Sequence, residues 1–151
     1  MLADSPYSRL PDPALQPEFY RDVPAKRLVA WVIDTVIVAL LTALAVPFTA
    51  FLALLFLPLL FMAVNFLYRW ATLSARSATW GMRFVALEFR RLDGRGFDPV
   101  TAFAHTLVYT VSIAMVLPQL VSVVMMATGT RAQGLGDRLL GTVALNQSGR
   151  H

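Results

Sequence analysis

The chain has no cysteine and a single lysine, Lys26, among its 151 residues. No disulfide framework, thiolate nucleophile or cysteine-based zinc site can be built. Its two histidines, His105 and His151, offer no metal-ligand spacing, so no metal is expected. Charge is scarce too. Only 15% of residues are charged and 57% are hydrophobic, whereas a soluble domain carries about 25% charged and about 45–50% apolar residues. A disordered chain would be far more polar. The length allows one domain, and lipid is the solvent that this composition fits.

The missing charge is concentrated in two blocks. No charged residue occurs from Thr35 to Tyr68, and none from Pro99 to Thr130 if His105 is neutral. A helical crossing needs about 20 apolar residues. The first block, with a few residues before it, holds two crossings divided by Pro47: Leu28 to Val46 and Phe48 to Tyr68. At about 1.5 Å per residue they reach about 28 and 31 Å, which predicts a tight transmembrane helical hairpin. A cleaved signal peptide is the weaker reading of the first segment, because Asp34 interrupts its apolar core and Pro47 follows closely.

The second block, Thr101 to Ala127, would be about 40 Å long as one helix and contains Pro118. It is either one tilted span or a V-shaped element broken near Pro118. Arg131, Arg138 and Arg150, opposed only by Asp137, favour a C-terminus inside and so the break, although the Gln119–Thr130 leg is too short to span by itself. Residues 1–24 form a polar leader with five prolines, Pro6, Pro11, Pro13, Pro17 and Pro24, which suits a flexible or partly extended tail. Residues 25–146 then form the transmembrane domain, and 147–151 a short tail. The segment Arg69–Asp98 carries six arginines against three acids. Cytoplasmic loops are enriched in such residues. The N-terminus is therefore expected in the cytoplasm, in a multi-pass protein of the cytoplasmic (inner) membrane. Phe84–Phe89 has β-favouring content, and Asp93-Gly94 offers a turn. A short interfacial β element near 84–97 is the expectation. The fold class is an all-α membrane protein.

Asp34 is the most informative residue, because an intramembrane acid must face protein or water. Arg27, seven residues earlier, lies on the same helix face, about 10 Å away along the axis. Asp34 reads either as a proton or cation site or as a carboxyl that pins helix packing. Asn65, at matching depth on the second helix, is a candidate neighbour. His105, Tyr109 and Ser112 share a second polar face, with Gln119 nearby. That face either lines a water-filled path or supplies interhelical hydrogen bonds. Asp137 either caps the following turn or pairs with an arginine. The glycines of 131–142 lack the Gly-Lys-Ser/Thr of a phosphate loop, so no cofactor is expected. No nucleophile–base set points to an enzyme. The arginines stand where topology wants them, which argues for anionic lipids and against nucleic acid.

Three blocks resemble the RDD family of small integral membrane proteins, named for one arginine and two aspartates. They are Lys26-Arg27-Leu28-Val29-Ala30-Trp31-Val32-Ile33-Asp34; Thr79-Trp80-Gly81-Met82-Arg83 with the later Asp93-Gly94; and Gln133-Gly134-Leu135-Gly136-Asp137 with Gly141-Thr142. The chain departs from the pattern at Gly136, where many members have histidine; at Ala86, where glycine is frequent; and at His105, where arginine often opens the third segment. The resemblance implies a membrane protein, with cation/proton antiport suggested for some members. Two functions follow. One is an oligomeric transporter of protons or small monovalent cations, with Arg27, Asp34 and Asp137 as its site and Asn65, His105 and Tyr109 in support. The other is a non-transporting accessory or assembly subunit that binds another membrane protein.

Overall fold

The computed structural model describes residues 6–147. Arg150 and His151, and most of the expected 147–151 tail, lie outside that range. The secondary structure is mostly helical. Helix α1 runs Val23–Ala45, α2 Leu57–Arg76, α3 Trp80–Phe84, α4 Pro99–Ala114, α5 Val116–Thr128 and α6 Leu135–Leu140. Two strands, β1 (Leu87–Arg91) and β2 (Thr142–Asn146), pair antiparallel with Leu87 opposite Asn146. Two helical stretches, Pro17–Thr49 and Leu52–Arg76, are long and apolar enough to cross a membrane.

Helix α1 shows why lipid is the solvent. Its buried residues, Val23, Ala30, Asp34, Val38 and Thr42, recur at nearly every fourth position, which places them in one narrow stripe. Leu28, Val32, Val36, Leu40 and Leu44 are exposed around the rest of its surface. A helix that is apolar all round, yet buried along a single stripe, is covered by acyl chains elsewhere.

The hairpin is looser at its turn than the sequence suggested. Pro47 does not by itself divide two abutting helices. Two 3-10 turns, Val46–Thr49 and Leu52–Phe56, separate α1 from α2, and Ala50 and Phe51 adopt left-handed φ values of 51° and 64°. Helix α2 therefore starts nine residues later than Phe48 and continues past Tyr68 to Arg76. The first part of the arginine-rich segment is thus membrane helix rather than loop.

The third element is broken, with 115° between α4 and α5. The break falls at Met115, three residues before Pro118. In a continuous helix the Pro118 ring would strike the carbonyl of Ala114, four residues back. The helix therefore ends at Ala114 and restarts, leaving Pro118 in the first turn of α5, where no amide donor is missed. At its other end Asp98 caps α4 by accepting from the Thr101 amide at 2.6 Å, with Pro99 in the first turn.

The expected β element exists, but its partner is distant. β1 does not fold back through Asp93-Gly94 into a local hairpin. Gly94 does turn the chain, with φ of 80°, and the strand that β1 pairs with is β2, from the end of the described chain. The leader is not a loose tail either. Leu10 and Tyr20 are buried against Val143 and Leu145 of β2. The Asn146 side chain donates to the carbonyls of Glu18 and Arg21 and accepts from Lys26. Helices α3 and α6, the two strands and the leader so form a polar layer at the end of the bundle where α1 begins and α2 stops.

Ala86 sits just before β1 with φ of 58°, a left-handed conformation that costs a residue with a Cβ roughly 1–2 kcal/mol. Ala86→Gly removes that strain and adds chain entropy to the unfolded state. The expected net gain is about 0.5–1 kcal/mol, read as a higher midpoint in denaturant titration of the detergent-solubilised protein. A lower midpoint would show that Ala86 is not strained.

Candidate functional site

Asp34 is 3% exposed, in the middle of the protein-facing stripe of α1. Three donors converge on it. Tyr68 Oη reaches Oδ1 at 2.6 Å, Thr79 Oγ1 reaches Oδ2 at 2.6 Å, and the Gly81 amide reaches Oδ1 at 2.9 Å. Thr79 also caps α3 by accepting from the Met82 amide, and Tyr68 Oη accepts from the Trp80 amide at 3.2 Å. One carboxylate thus fastens α2 and α3 to α1. Gly81 permits the contact, because a Cβ there would lie 2.3 Å from the Ala30 carbonyl and 2.8 Å from Asp34 Oδ1.

Asp137 is 1% exposed and more heavily committed. Arg27 Nη1 reaches Oδ2 at 2.6 Å, and the Gly134 amide reaches the same oxygen at 3.0 Å. His105 Nε2 lies 2.9 Å from Oδ1, which also accepts from Thr142 Oγ1 at 3.0 Å. A carboxylate only accepts, so the His105 ring proton is on Nε2. Burial opposes charge on Asp137, but Arg27 and the His105 hydrogen bond outweigh it and hold the carboxyl well below the usual carboxylate range. Asp137 pairs with an arginine, and instead of capping the following turn it accepts from the Gly134 amide that precedes α6. Arg27 further donates to the Ala132 carbonyl and lies over the Phe89 ring.

The sequence placed Arg27 and Asp34 as a pair on one helix face. They share that face, but they serve different partners. The arginine beside Asp34 is Arg69 of α2, whose Nη1 is 3.9 Å from Oδ2 and whose guanidinium lies 3.8 Å from the centroid of the Tyr109 ring. Asn65 makes no side-chain hydrogen bond to Asp34; Tyr68, three residues further along α2, takes that place. Both Tyr68 and Arg69 were missed because the charge-free stretch ended there and Arg69 was read as loop. Extending α2 to Arg76 would have found them. Antiparallel helices then bring residues well inside the end of α2 to the depth of Asp34.

A cavity of about 420 Å³ lies between these two carboxylates. Helix α1 packs on α2 and α3, and α4 packs on α2, α5 and α6. The space left between α1 and the bent α4–α5 pair is the cavity. Asp34, Asp137, Arg27 and Arg69 line it, as do His105, Tyr109, Ser112 and Gln119. The polar face of α4 expected from the sequence therefore faces this space. Trp31, which also lines it, donates to Tyr109 Oη at 2.9 Å. The volume is that of a small-molecule site, about 300–1,000 Å³ in general.

Removing one member of the Arg27–Asp137 pair leaves the other charge buried, at a cost of about 3–5 kcal/mol. Arg27→Gln is expected to show that loss in thermal or denaturant unfolding. A carboxyl with a depressed folded pKa contributes stability above its unfolded value of about 3.9, and that stability is lost as pH falls towards the folded value. Wild type should accordingly weaken only below about pH 4, and Asp137→Asn should lack this acid limb. A wild-type acid limb retained in Asp137→Asn would assign it to another group. Gly81→Ala is expected to undock α3 and cost about 2 kcal/mol or more by overpacking, measured by the same unfolding. A neutral effect would show that α3 is not held against Asp34.

The three sequence blocks thus meet in space. The first and second join at Asp34, through Thr79 and Gly81, and the first and third join at Arg27–Asp137. The RDD family model matches residues 23–141, most of the chain. No curated protein and no solved structure matches it. With its apolar spanning helices and the match across all three blocks, this chain is a membrane protein that belongs to the RDD family.

Proposed function

We propose that the protein carries a proton or a small monovalent cation across the cytoplasmic membrane through this cavity, acting as a homo-oligomer with its N-terminus in the cytoplasm. The observation that carries this reading is the contrast between the two ion pairs on the cavity wall. Arg27 and Asp137 are in direct contact at 2.6 Å, and all four acceptor positions of Asp137 are taken. That pair is frame. Arg69 and Asp34 stand 3.9 Å apart, and Oδ2 of Asp34 accepts only from Thr79. A carboxylate oxygen has two acceptor directions, so Asp34 keeps one open for cargo.

Arg69 supplies the competing charge. With Asp34 empty, Arg69 balances it; with a cation on Asp34, the guanidinium is held instead by the Tyr109 ring, a cation–π contact of the kind worth about 2 kcal/mol when desolvated. Such an exchange of partners gives one site two electrostatic states. The bundle is too small to alternate access alone, which is the reason for invoking an oligomer. Orientation rests on the arginine-rich polar layer, which would face the cytoplasm and its anionic headgroups. Trp80 and Phe84 on α3 are exposed beside Arg83, a combination suited to the membrane interface.

The second reading is an accessory subunit in which both pairs are locks. The saturation of Asp137 favours it, as does the breadth of apolar surface on α1 and α2. Reconstituted flux separates the two. Proteoliposomes with wild type should show proton- or sodium-driven flux that Asp34→Asn lowers at least about tenfold, since a neutral amide forfeits about 1.4 kcal/mol or more of charge attraction. Equal flux from both proteins, or none from either, would leave the accessory reading.

A further inference from the structure

Arg69 has more hydrogen-bonding capacity than the chain uses. It is 6% exposed, and a guanidinium has five N–H donors. None of them makes a hydrogen bond among the described residues. Its Nε is buried without a partner, and its nearest carboxylate oxygen is 3.9 Å away and already accepts from Thr79. Arg27, by contrast, donates to Asp137 and Ala132, and Asp137 has four donors. Buried donors are normally paired, and buried N–H groups left without a hydrogen-bond acceptor are costly even beside an opposite charge. The Tyr109 ring covers one face of the guanidinium. Cation–π stacking occupies a face and leaves the planar edge, with its fork of N–H groups, for an acceptor.

The cavity that Arg69 lines has a second character at its other wall. Leu28 and Trp31 of α1 and Val123 of α5 line it and are also substantially exposed, at 62%, 42% and 48%. These are surfaces that face acyl chains. The cavity therefore joins an apolar wall, shared with the exposed faces of α1 and α5, to an arginine with unspent donors.

We propose that this cavity binds a single-chain amphiphile with a carboxylate head, the head forked on Arg69 and the chain lying between Trp31 and Val123. A carboxylate matches the arginine fork by two parallel hydrogen bonds, and the apolar wall of Leu28, Trp31 and Val123 suits an acyl chain. The site stands without the transport reading, since it needs only the cavity and Arg69.

The test reads Trp31, which lines the cavity, by fluorescence quenching. The full chain carrying Trp70→Phe and Trp80→Phe, which leaves Trp31 as its only tryptophan, is placed in phosphatidylcholine nanodiscs. Bromine-bearing dodecanoate is then titrated in parallel with its methyl ester, which enters the bilayer but cannot fork on arginine. The expected result is saturable quenching by the acid, about tenfold or more tighter than by the ester. Arg69→Gln should abolish the difference and Arg69→Lys should restore part of it. If Arg69→Gln does not fold, Val123→Phe keeps the arginine and fills the apolar wall, and it should weaken binding of the acid to a similar degree. Equal quenching by acid and ester would overturn the proposal. So would wild-type binding in Val123→Phe. Saturable quenching by brominated phosphatidylglycerol that dodecanoate cannot displace would also overturn it, by assigning the site to a lipid headgroup.

Discussion

A carboxylate inside hydrocarbon is tolerated only when donors surround it, and Asp34 is where the fold meets that demand. An unpartnered acid at this depth costs at least about 2.5–3.5 kcal/mol. The donors that relieve the cost come from three places: a phenol on α2, a hydroxyl on the linker after α2, and an amide of α3. Satisfying one side chain therefore dictates how two helices meet α1 and where the polar layer begins. Asp137 repeats the solution from the other direction. Its donors come from α1, α4, the residue that opens α6, and β2, so the last part of the described chain is tied to the first helix and to the bent third element.

The two aspartates divide the labour unequally. Asp137 has no acceptor position left and a tight arginine, which suits a fastener. Asp34 has a looser arginine and an open position, which suits a site that changes occupant. The cavity lies between them, lined by α1 on one side and by the bent α4–α5 pair on the other. His105 contributes to both features. It donates to Asp137 and packs its ring near Phe89 and Phe97, at centroid distances of 4.6 and 5.4 Å. His105 thus ties α4 to Asp137.

Much of this is legible in the sequence. Charge-free stretches announce spanning helices, and Pro118 announces a break, because the ring's clash with the carbonyl four residues back is a local effect. The importance of Arg27, Asp34 and Asp137 follows from the cost of charge in lipid. Their partners were not legible. Arg27 and Asp34 share a face, and helix geometry says so; that each turns to a different element is decided by tertiary packing. Arg69 went unrecognised because a charged residue at the edge of an apolar run reads as the start of a loop, although arginine can lie within a helix when an acid and an aromatic ring await it. The strand Thr142–Asn146 was missed because it is short and buried throughout, so it shows no alternation, and its partner is too distant in sequence for any local signal.

The separation between Arg27 and Asp137, 110 positions along the chain, has a consequence for biogenesis. Helices α1 and α2 emerge from the ribosome early and can enter the membrane as a pair, with Asp34 satisfied by donors no further away than Gly81. Arg27 has no such early ion-pair partner. It waits at the interface until almost the whole described chain has been translated, and the contacts between β1 and β2 and between the leader and β2 wait with it. Assembly is therefore split in time: a hairpin that inserts as it is made, and a polar lid that closes in one late, long-range step. A nascent or truncated chain short of residue 137 presents a basic helix end and an uncovered first strand to whatever chaperone or protease patrols that face of the membrane.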